Sequence, residues 1–243
     1  MRMRVLDIDL DFFLNDCCPL AEPGARPEPE GHEPWAEERV RSFLEDNCGL
    51  EKSRRIPGAV FETHDKALSF WQTRIRSGEL TVPFHVTHVD AHSDLGIGYP
   101  GPGYVLNGVL PQRTELRSDL EKYYRVRQLD EANYLLFALA FRWISVLENV
   151  RNPRSRADIP PQILMPGCSD RIRLRSFASD LMESVNGTEP EIPFLVYDDY
   201  SEYHASGPFD FITLAISPRY APKEAEALVP VISEYMRMIP LPI

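Results

Sequence analysis

The chain has 243 residues, an apolar content of 43% and a formal net charge of −11. This length is sufficient for one sizeable hydrophobic core, so we expect a single domain spanning residues 1–243. The acidic excess argues against a nucleic-acid-binding protein, which requires a basic surface.

The first predicted element is a strand over residues 5–10, and it carries carboxylates at every second position: Asp7, Asp9 and Asp11. Side chains two residues apart on a strand share a face, so these carboxylates point the same way. Three like charges on one face are costly unless a cation neutralises them. The strand therefore indicates a metal-binding or catalytic role.

The same acids interrupt the apolar stretch that an export signal would need. The longest apolar run, residues 134–146, is too short to cross a membrane and contains Arg142. The four cysteines show no C-x-x-C spacing, which is typical of reduced thiols. We expect a soluble cytoplasmic protein with no membrane contact.

Residues 14–34 are predicted to form a loop, either mobile or acting as a lid, because prolines recur throughout the segment. A helix is expected from Pro34, burying Val40, Phe43 and Leu44. A strand at residues 59–62 then leads into a helix that buries Leu68, Trp71 and Ile75 and ends near Gly78.

Strands and helices continue to alternate along the rest of the chain. Further strands are predicted at residues 84–90, 162–165, 192–197 and 209–216. Helices are predicted at residues 130–148 and 175–185, with a last one from Pro222, kinked at Pro230, and an irregular glycine-rich loop at residues 96–103. This alternation predicts a three-layer α/β/α fold with a mostly parallel sheet and helices on both faces. Ligands bind beyond the carboxyl ends of the strands in such sheets.

A second constellation, Asp90-Ala-His92-Ser-Asp94, follows the strand at residues 84–90. Two carboxylates and one imidazole supply hard oxygen ligands together with nitrogen, a set suited to manganese, zinc or iron. His64 lies between a predicted strand and a predicted helix, where it can reach the same edge of the sheet. The remaining histidines His32, His85 and His88 are interpreted as structural.

These blocks resemble the arginase and ureohydrolase superfamily. Asp90-Ala-His92-Ser-Asp94 matches the Asp-Ala-His-x-Asp motif of that family, the Asp-x-Asp within residues 7–11 resembles its other carboxylate pair, and His64 resembles its upstream histidine. The longer blocks Val-Leu-Asp-Ile-Asp-Leu-Asp-Phe-Phe and Glu-Thr-His-Asp-Lys-Ala-Leu look like the peptide arginase branch, which converts arginine in ribosomal peptides to ornithine. The resemblance covers about a quarter of the chain.

The resemblance implies two Mn²⁺ ions, other divalent metals also being possible, held by six ligands. His64 and Asp94 would bind one ion and His92 the other, with Asp90 and one acid of the opening strand bridging them. The acidic pair is either Asp7/Asp9 or Asp9/Asp11. We prefer the second, because Leu6 and Ile8 then occupy the apolar strand positions of the family, and Asp7 would lie behind the ligands.

The implied reaction is hydrolysis of an arginine guanidinium to ornithine and urea, with Asp94 as catalytic residue. The substrate would be an arginine-containing peptide or a small guanidino compound. Ala215 stands where arginases have a guanidinium-binding glutamate, so Asp198, Asp199 or Glu202 would bind the substrate instead. The catalytic-loop histidine of the family is missing, and His204 is its candidate substitute.

Other functions remain open from the sequence. One is a small-molecule ureohydrolase or an amide deacetylase of the same fold. Another is a haloacid-dehalogenase-type phosphatase with Asp9 as nucleophile, Mg as cofactor and Asp198 and Asp199 as later acids. A third is a non-catalytic module with a structural or degenerate metal site, which binds a peptide through the proline-rich segment and the glycine-rich loop. No sequence pattern indicates the oligomeric state.

Overall fold

The structure is a computed structural model that describes residues 2–96, 101–176 and 187–240. Its strands are β1 Arg4–Asp9, β2 Ile56–Phe61, β3 Phe84–Asp90, β4 Ile144–Arg151, β5 Arg171–Ile172, β6 Ile192–Tyr197, β7 Phe211–Ala215 and β8 Met236–Met238. Its α-helices are α1 Glu37–Ser42, α2 Lys66–Arg76, α3 Leu120–Arg125, α4 Tyr134–Ala140 and α5 Leu228–Ser233.

The eight strands form one sheet in the order β5-β6-β4-β3-β1-β7-β2-β8. Every pairing is parallel except that of β5 with β6, which is antiparallel. The first strand of the chain lies in the interior of the sheet, between β3 and β7. The prediction of an α/β protein with a mostly parallel sheet is therefore confirmed.

Buried apolar side chains form two clusters, and successive residues of β1 alternate between them. Val5 packs in the cluster that contains residues of α2 and α4. Leu6 and Ile8 pack in the cluster that contains residues of α1 and α5. Because neighbouring strand residues point to opposite faces, the two clusters lie on opposite sides of the sheet. This arrangement is consistent with three layers.

The predicted helix over residues 130–148 is correct only in its first half. Helix α4 ends at Ala140, Arg142 takes a left-handed φ of 60°, and β4 begins at Ile144. A run that is apolar on all sides fits a buried helix and a buried central strand equally well, and periodicity does not separate them. The β4 strand was missed for this reason.

Several smaller expectations also need correction. The strand predicted at residues 162–165 is a 3-10 turn at Pro161–Ile163 followed by one isolated bridge from Leu164 to Ile172. The closing helix is divided into a 3-10 turn at Lys223–Ala227 and helix α5, which contains Pro230, and it is followed by the unpredicted strand β8. Most of the helix predicted at residues 175–185, and part of the glycine-rich loop, lie outside the described residues.

The proline-rich segment, residues 14–34, is a loop without helix or strand, as expected. Its ends are held together by a bridge between Leu14 and Pro34, and the indole nitrogen of Trp35 donates to the carbonyl of Leu14. The helix expected from Pro34 begins at Glu37. Within the described parts of the chain, no helix is long and apolar enough to span a bilayer.

Candidate metal centre

The acids and histidines singled out in the sequence meet at the carboxyl ends of three strands. Asp9 is the last residue of β1 and Asp90 the last residue of β3, and these strands are neighbours in the sheet. His64 lies three residues beyond the end of β2, on the other side of β7. Parallel strands bring their carboxyl ends to one edge of the sheet, which is where ligand sites of α/β folds form.

The first group of potential ligands surrounds the Nδ1 atom of His64. This atom lies 3.1 Å from Asp9 Oδ2, 3.0 Å from Asp90 Oδ2 and 3.2 Å from Asp94 Oδ2. The imidazole and all three carboxylates are buried. Three carboxylate oxygens around one imidazole nitrogen are a suitable donor set for a divalent cation.

The second group is formed by His92 and the neighbouring acids. The Nδ1 atom of His92 lies 3.0 Å from Asp11 Oδ2 and 3.5 Å from Asp90 Oδ1. Asp90 therefore turns one oxygen toward His64 and the other toward His92. Its Oδ1 also accepts a hydrogen bond of 2.6 Å from the backbone N–H of His92, which fixes the orientation of the carboxylate.

Asp7 lies behind the first group. Its Oδ1 is 3.3 Å from His64 Nε2, the ring nitrogen opposite the one that faces the other acids. The hydroxyl of Thr213 donates to this Oδ1 at 2.6 Å, and the phenol of Tyr134 donates to Oδ2. A carboxylate on the remote nitrogen of a ligating histidine orients the ring and increases its basicity. Asp7 thus contacts His64 from behind the first group, and its role as a supporting residue or as a ligand stays a prediction.

The described residues include several sets of buried Asp and His that could hold a metal ion: Asp9, His64 and Asp90; Asp11, Asp90 and His92; His88, Asp90 and Asp94; and Asp7, His64 and His88. No cysteine belongs to these sets. The donor chemistry fits a hard or intermediate divalent cation better than a metal that prefers thiolates.

The electrostatics of the cluster also favour a bound cation. Burial, followed by the charges of Asp9 and Asp90, raises the pKa of Asp11. Burial and the charge of Asp90 likewise raise the pKa of Asp94, to about 7. Buried carboxylates that face one another destabilise each other's charged form, and a cation between them relieves this cost.

The pKa values of the histidines are also raised, which for an imidazole favours the charged form. Although burial alone would lower it, contact with Asp7 and other carboxylates raises the pKa of His64. The pKa of His92 is raised in the same way, against the effect of burial, by Asp11 and Asp90. Without a metal, protons on these rings therefore compensate part of the negative charge.

Asp94 has a backbone conformation that non-glycine residues rarely adopt, with a φ of 51°. Aspartate is one of the residues that tolerate the left-handed region. Ser217, beyond β7, also has a positive φ, of 46°, and its hydroxyl donates to Asp9 Oδ2. Uncommon backbone geometry of this kind is concentrated at functional sites.

His92 is the most exposed member of the cluster, with 35% of its side chain accessible. It lines a cavity of about 470 Å³ together with Asp16, Cys17, Cys18, Pro19, His32, Ala91, Arg154, Arg156 and Asp158. One wall of this cavity is thus built from the proline-rich segment. The cavity links the buried cluster to solvent on the side of His92. Movement of the segment as a lid stays a prediction.

Four of the residues singled out in the sequence are not brought into the cluster. Asp198 is 84% exposed and lies 3.6 Å from Arg151. Asp199 is exposed and caps a turn by accepting from the N–H of Ser201, and Glu202 is exposed in that turn. His204 is exposed, with its ring nitrogen near the carbonyl of Asp46. Their positions at the loop surface give no geometric support to the substrate-binding and catalytic roles expected for them.

His88 was interpreted as structural, yet the structure places it against the cluster. Its ring is fully buried, with Nε2 3.3 Å from Asp90 Oδ2 and Nδ1 3.3 Å from Asp7 Oδ2. A signal was available, because His88 precedes Asp90 by two residues and therefore shares its face of β3. Tyr134 had no such signal, since it lies in an apolar helix far along the chain.

Comparisons of the chain with protein-family models and with curated proteins found no match.

Proposed function

We propose that this protein is a dinuclear metal hydrolase of the arginase and ureohydrolase superfamily, which converts arginine within a peptide to ornithine and urea. The observation that carries the proposal is the position of Asp90. One of its oxygens lies within 3.0 Å of His64 Nδ1, and the other lies 3.5 Å from His92 Nδ1. A carboxylate between two separate histidine groups is suited to bridging two cations.

One cation would be held by His64, Asp94, Asp9 and Asp90, and the other by His92, Asp11 and Asp90. This division follows the two groups of contacts. Oxygen ligands that outnumber nitrogen ligands, with no thiolate, favour manganese. The fold expected of the superfamily, a three-layer α/β/α domain, agrees with the mostly parallel sheet.

When bound, a pair of divalent cations lowers the pKa of water and so makes a nucleophile available near neutral pH. Hydrolysis joins the oxygen of water to the guanidinium carbon and breaks the carbon–nitrogen bond to the side chain. The departing nitrogen must receive a proton to leave as a primary amine. Asp94 is the candidate for carrying this proton, because a carboxylate within the cluster can take a proton from the attacking water and pass it to the departing nitrogen.

A peptide is preferred over a free amino acid as the substrate. The loop after Asp94 reads Gly-Ile-Gly-Tyr-Pro-Gly-Pro-Gly and has no side chain suited to binding an ammonium or a carboxylate. A substrate whose main chain is held in peptide bonds needs no such contacts. The cavity beside His92 provides space for residues that flank the arginine.

The direct test is incubation of the purified chain with MnCl₂ and a synthetic arginine peptide, followed by mass spectrometry. We expect a loss of about 42 Da, the mass difference when the guanidine carbon leaves as urea. Asp94→Asn should abolish the product. Asp170→Asn, which alters an exposed aspartate away from the cluster, should retain it.

Phosphate release from a generic phosphate ester, without any ornithine, would instead favour the phosphatase alternative. An Asp94→Asn variant with full turnover would contradict the role given to Asp94. An unmodified peptide in the presence of bound metal would contradict the proposed reaction.

A further inference from the structure

Glu131 carries a buried carboxylate oxygen that has no hydrogen-bond partner. Only 12% of its side chain is exposed, and Oε2 is completely enclosed. The nearest cation, Arg219, lies on the side of the other oxygen, with 3.6 Å between Nη1 and Oε1. A buried carboxylate oxygen without a donor is energetically unfavourable, because it has lost its water and gained no replacement.

A backbone hydrogen bond holds the Glu131 segment beside the candidate metal centre. The backbone N–H of Gly96, two residues after Asp94, donates to the carbonyl of Ala132 at 2.8 Å. Burial, and after it the charge of Asp9, raises the pKa of Glu131 to about 7. The carboxylate therefore lies next to the cluster without belonging to any of its ligand groups.

Tyr220 connects Glu131 with the same space. Its ring lies 4.9 Å from that of His92. Arg219, its neighbour in the chain, lies 3.6 Å from Glu131. Burial and then the charges of Glu131 and Asp94 raise the pKa of the Tyr220 hydroxyl. The consecutive residues Arg219 and Tyr220 thus connect Glu131 with His92.

We propose that Glu131 is the residue that binds the cationic, planar end of the substrate. A guanidinium offers N–H donors in a fixed plane, and a carboxylate with an unused oxygen is its natural partner. Neither Ala215, which is buried opposite Asp9, nor the exposed acids Asp198 and Asp199 can provide this contact. The inference rests on the proposed function, since it names what that site recognises.

Arg219 does not remove the need for a further cation. Its Nε donates to the carbonyl of Ala21, and its own carbonyl accepts from the N–H of Ala21. The guanidinium is therefore committed in part to the proline-rich segment, and its single contact with Glu131 is long. The oxygen without a donor is therefore the one that Arg219 leaves for a further cation.

The test compares two peptides that differ in charge but hardly in shape: acetyl-Gly-Arg-Gly-amide and the same peptide with citrulline. Binding to the full chain is measured by calorimetry after metal removal with EDTA, so that no turnover occurs. We expect wild type to prefer the arginine peptide. Glu131→Gln should weaken its binding about tenfold or more, as expected for a lost charge-assisted contact, with the citrulline peptide unaffected.

Glu131→Asp, which keeps the charge on a shorter side chain, should recover part of the preference. Glu121→Gln removes an exposed glutamate in α3 and should behave as wild type. With manganese restored, Glu131→Gln should raise KM more than it lowers kcat, and the bound metal content should not change.

Equal binding of the arginine peptide by wild type and Glu131→Gln would overturn the inference. An equal loss of affinity for the arginine and citrulline peptides in Glu131→Gln would also overturn it, because it would indicate a packing role. The same holds if wild type does not prefer the arginine peptide. The proposed function is tested separately. If the preference for the arginine peptide depends on Glu131 but no ornithine forms, the binding role of Glu131 is retained and the proposed reaction is wrong. If wild type and Glu131→Gln form ornithine with the same KM, the proposed reaction stands and the binding role of Glu131 is wrong.

Discussion

His88 Nδ1 lies 3.3 Å from Oδ2 of Asp7, its direct register partner on the neighbouring strand. The phenol of Tyr134 reaches both groups, and the other nitrogen of His88 is 3.3 Å from Asp90. A continuous line of polar contacts thus runs from helix α4 through β1 and β3 to the carboxylate that faces both histidine groups. This line is buried throughout.

Replacing His88 by Gln should weaken metal binding about 10- to 100-fold, because residues that orient ligands typically contribute this much to affinity. The measurement is Mn²⁺ titration by calorimetry, with circular dichroism to check folding. His204→Gln alters an exposed histidine outside the cluster and should leave the affinity unchanged. Wild-type affinity in the His88 variant would show that the contact with Asp90 does not support the metal.

Asp90→Asn should have the largest effect on metal content. The change removes the charge that faces both His64 and His92, so both groups lose a ligand at once. Elemental analysis after gel filtration should find less than about a tenth of the wild-type metal, a loss at the upper end of that seen for single contacts around metals. Asp170→Asn is the matched control. A variant that retains one equivalent would indicate that the groups bind independently.

Metal binding should release protons and become tighter as the pH rises. His64 and His92 have raised pKa values in the metal-free protein and so carry protons at neutral pH, whereas ligating imidazoles must be neutral. We expect release of at least about two protons, one from each ring, with a further contribution from Asp94, whose pKa is about 7. Calorimetry in two buffers with different ionisation enthalpies measures this number. Binding without proton release would contradict protonated rings in the free site.

Manganese should stabilise the fold. A ligand at a concentration of about 100 times its dissociation constant adds about 2.7 kcal/mol of stability, which raises the melting temperature of a chain of this size by about 5–10 °C. Thermal scans with MnCl₂ and with EDTA measure the difference. The shift should disappear in Asp90→Asn and persist in Asp170→Asn. Equal shifts in both variants would point to binding elsewhere on the surface.

The sequence predicted strands with clear boundaries better than strands inside long apolar runs. The strands at residues 84–90 and 192–197 were located correctly, because turn-forming or polar residues flank them. The boundary between α4 and β4 was missed because Arg142, rather than a glycine, takes the left-handed conformation there. Composition contains no mark of such a turn, and tertiary packing decides the outcome.

The parts of the site carried by short local patterns were also the easier ones to find. Asp9, Asp90 and His92 stand at period-two spacing at strand ends, and the structure brings them together with His64. Glu131 and Tyr134 approach the same place from a distant segment that the sequence assigned to an uninterrupted helix. No local pattern in the sequence indicates this approach, which depends on how the segment around α4 packs against the sheet.

The interior position of β1 has a consequence for how the protein is made. Its two neighbours are β3, which ends at Asp90, and β7, which begins at Phe211, so one edge of β1 stays unpaired until most of the chain has been synthesised. Contacts across such long sequence separations form slowly. The hydrogen bonds from Thr213 to Asp7 and from Ser217 to Asp9 therefore form late, after all the described residues that could hold a metal ion have been synthesised.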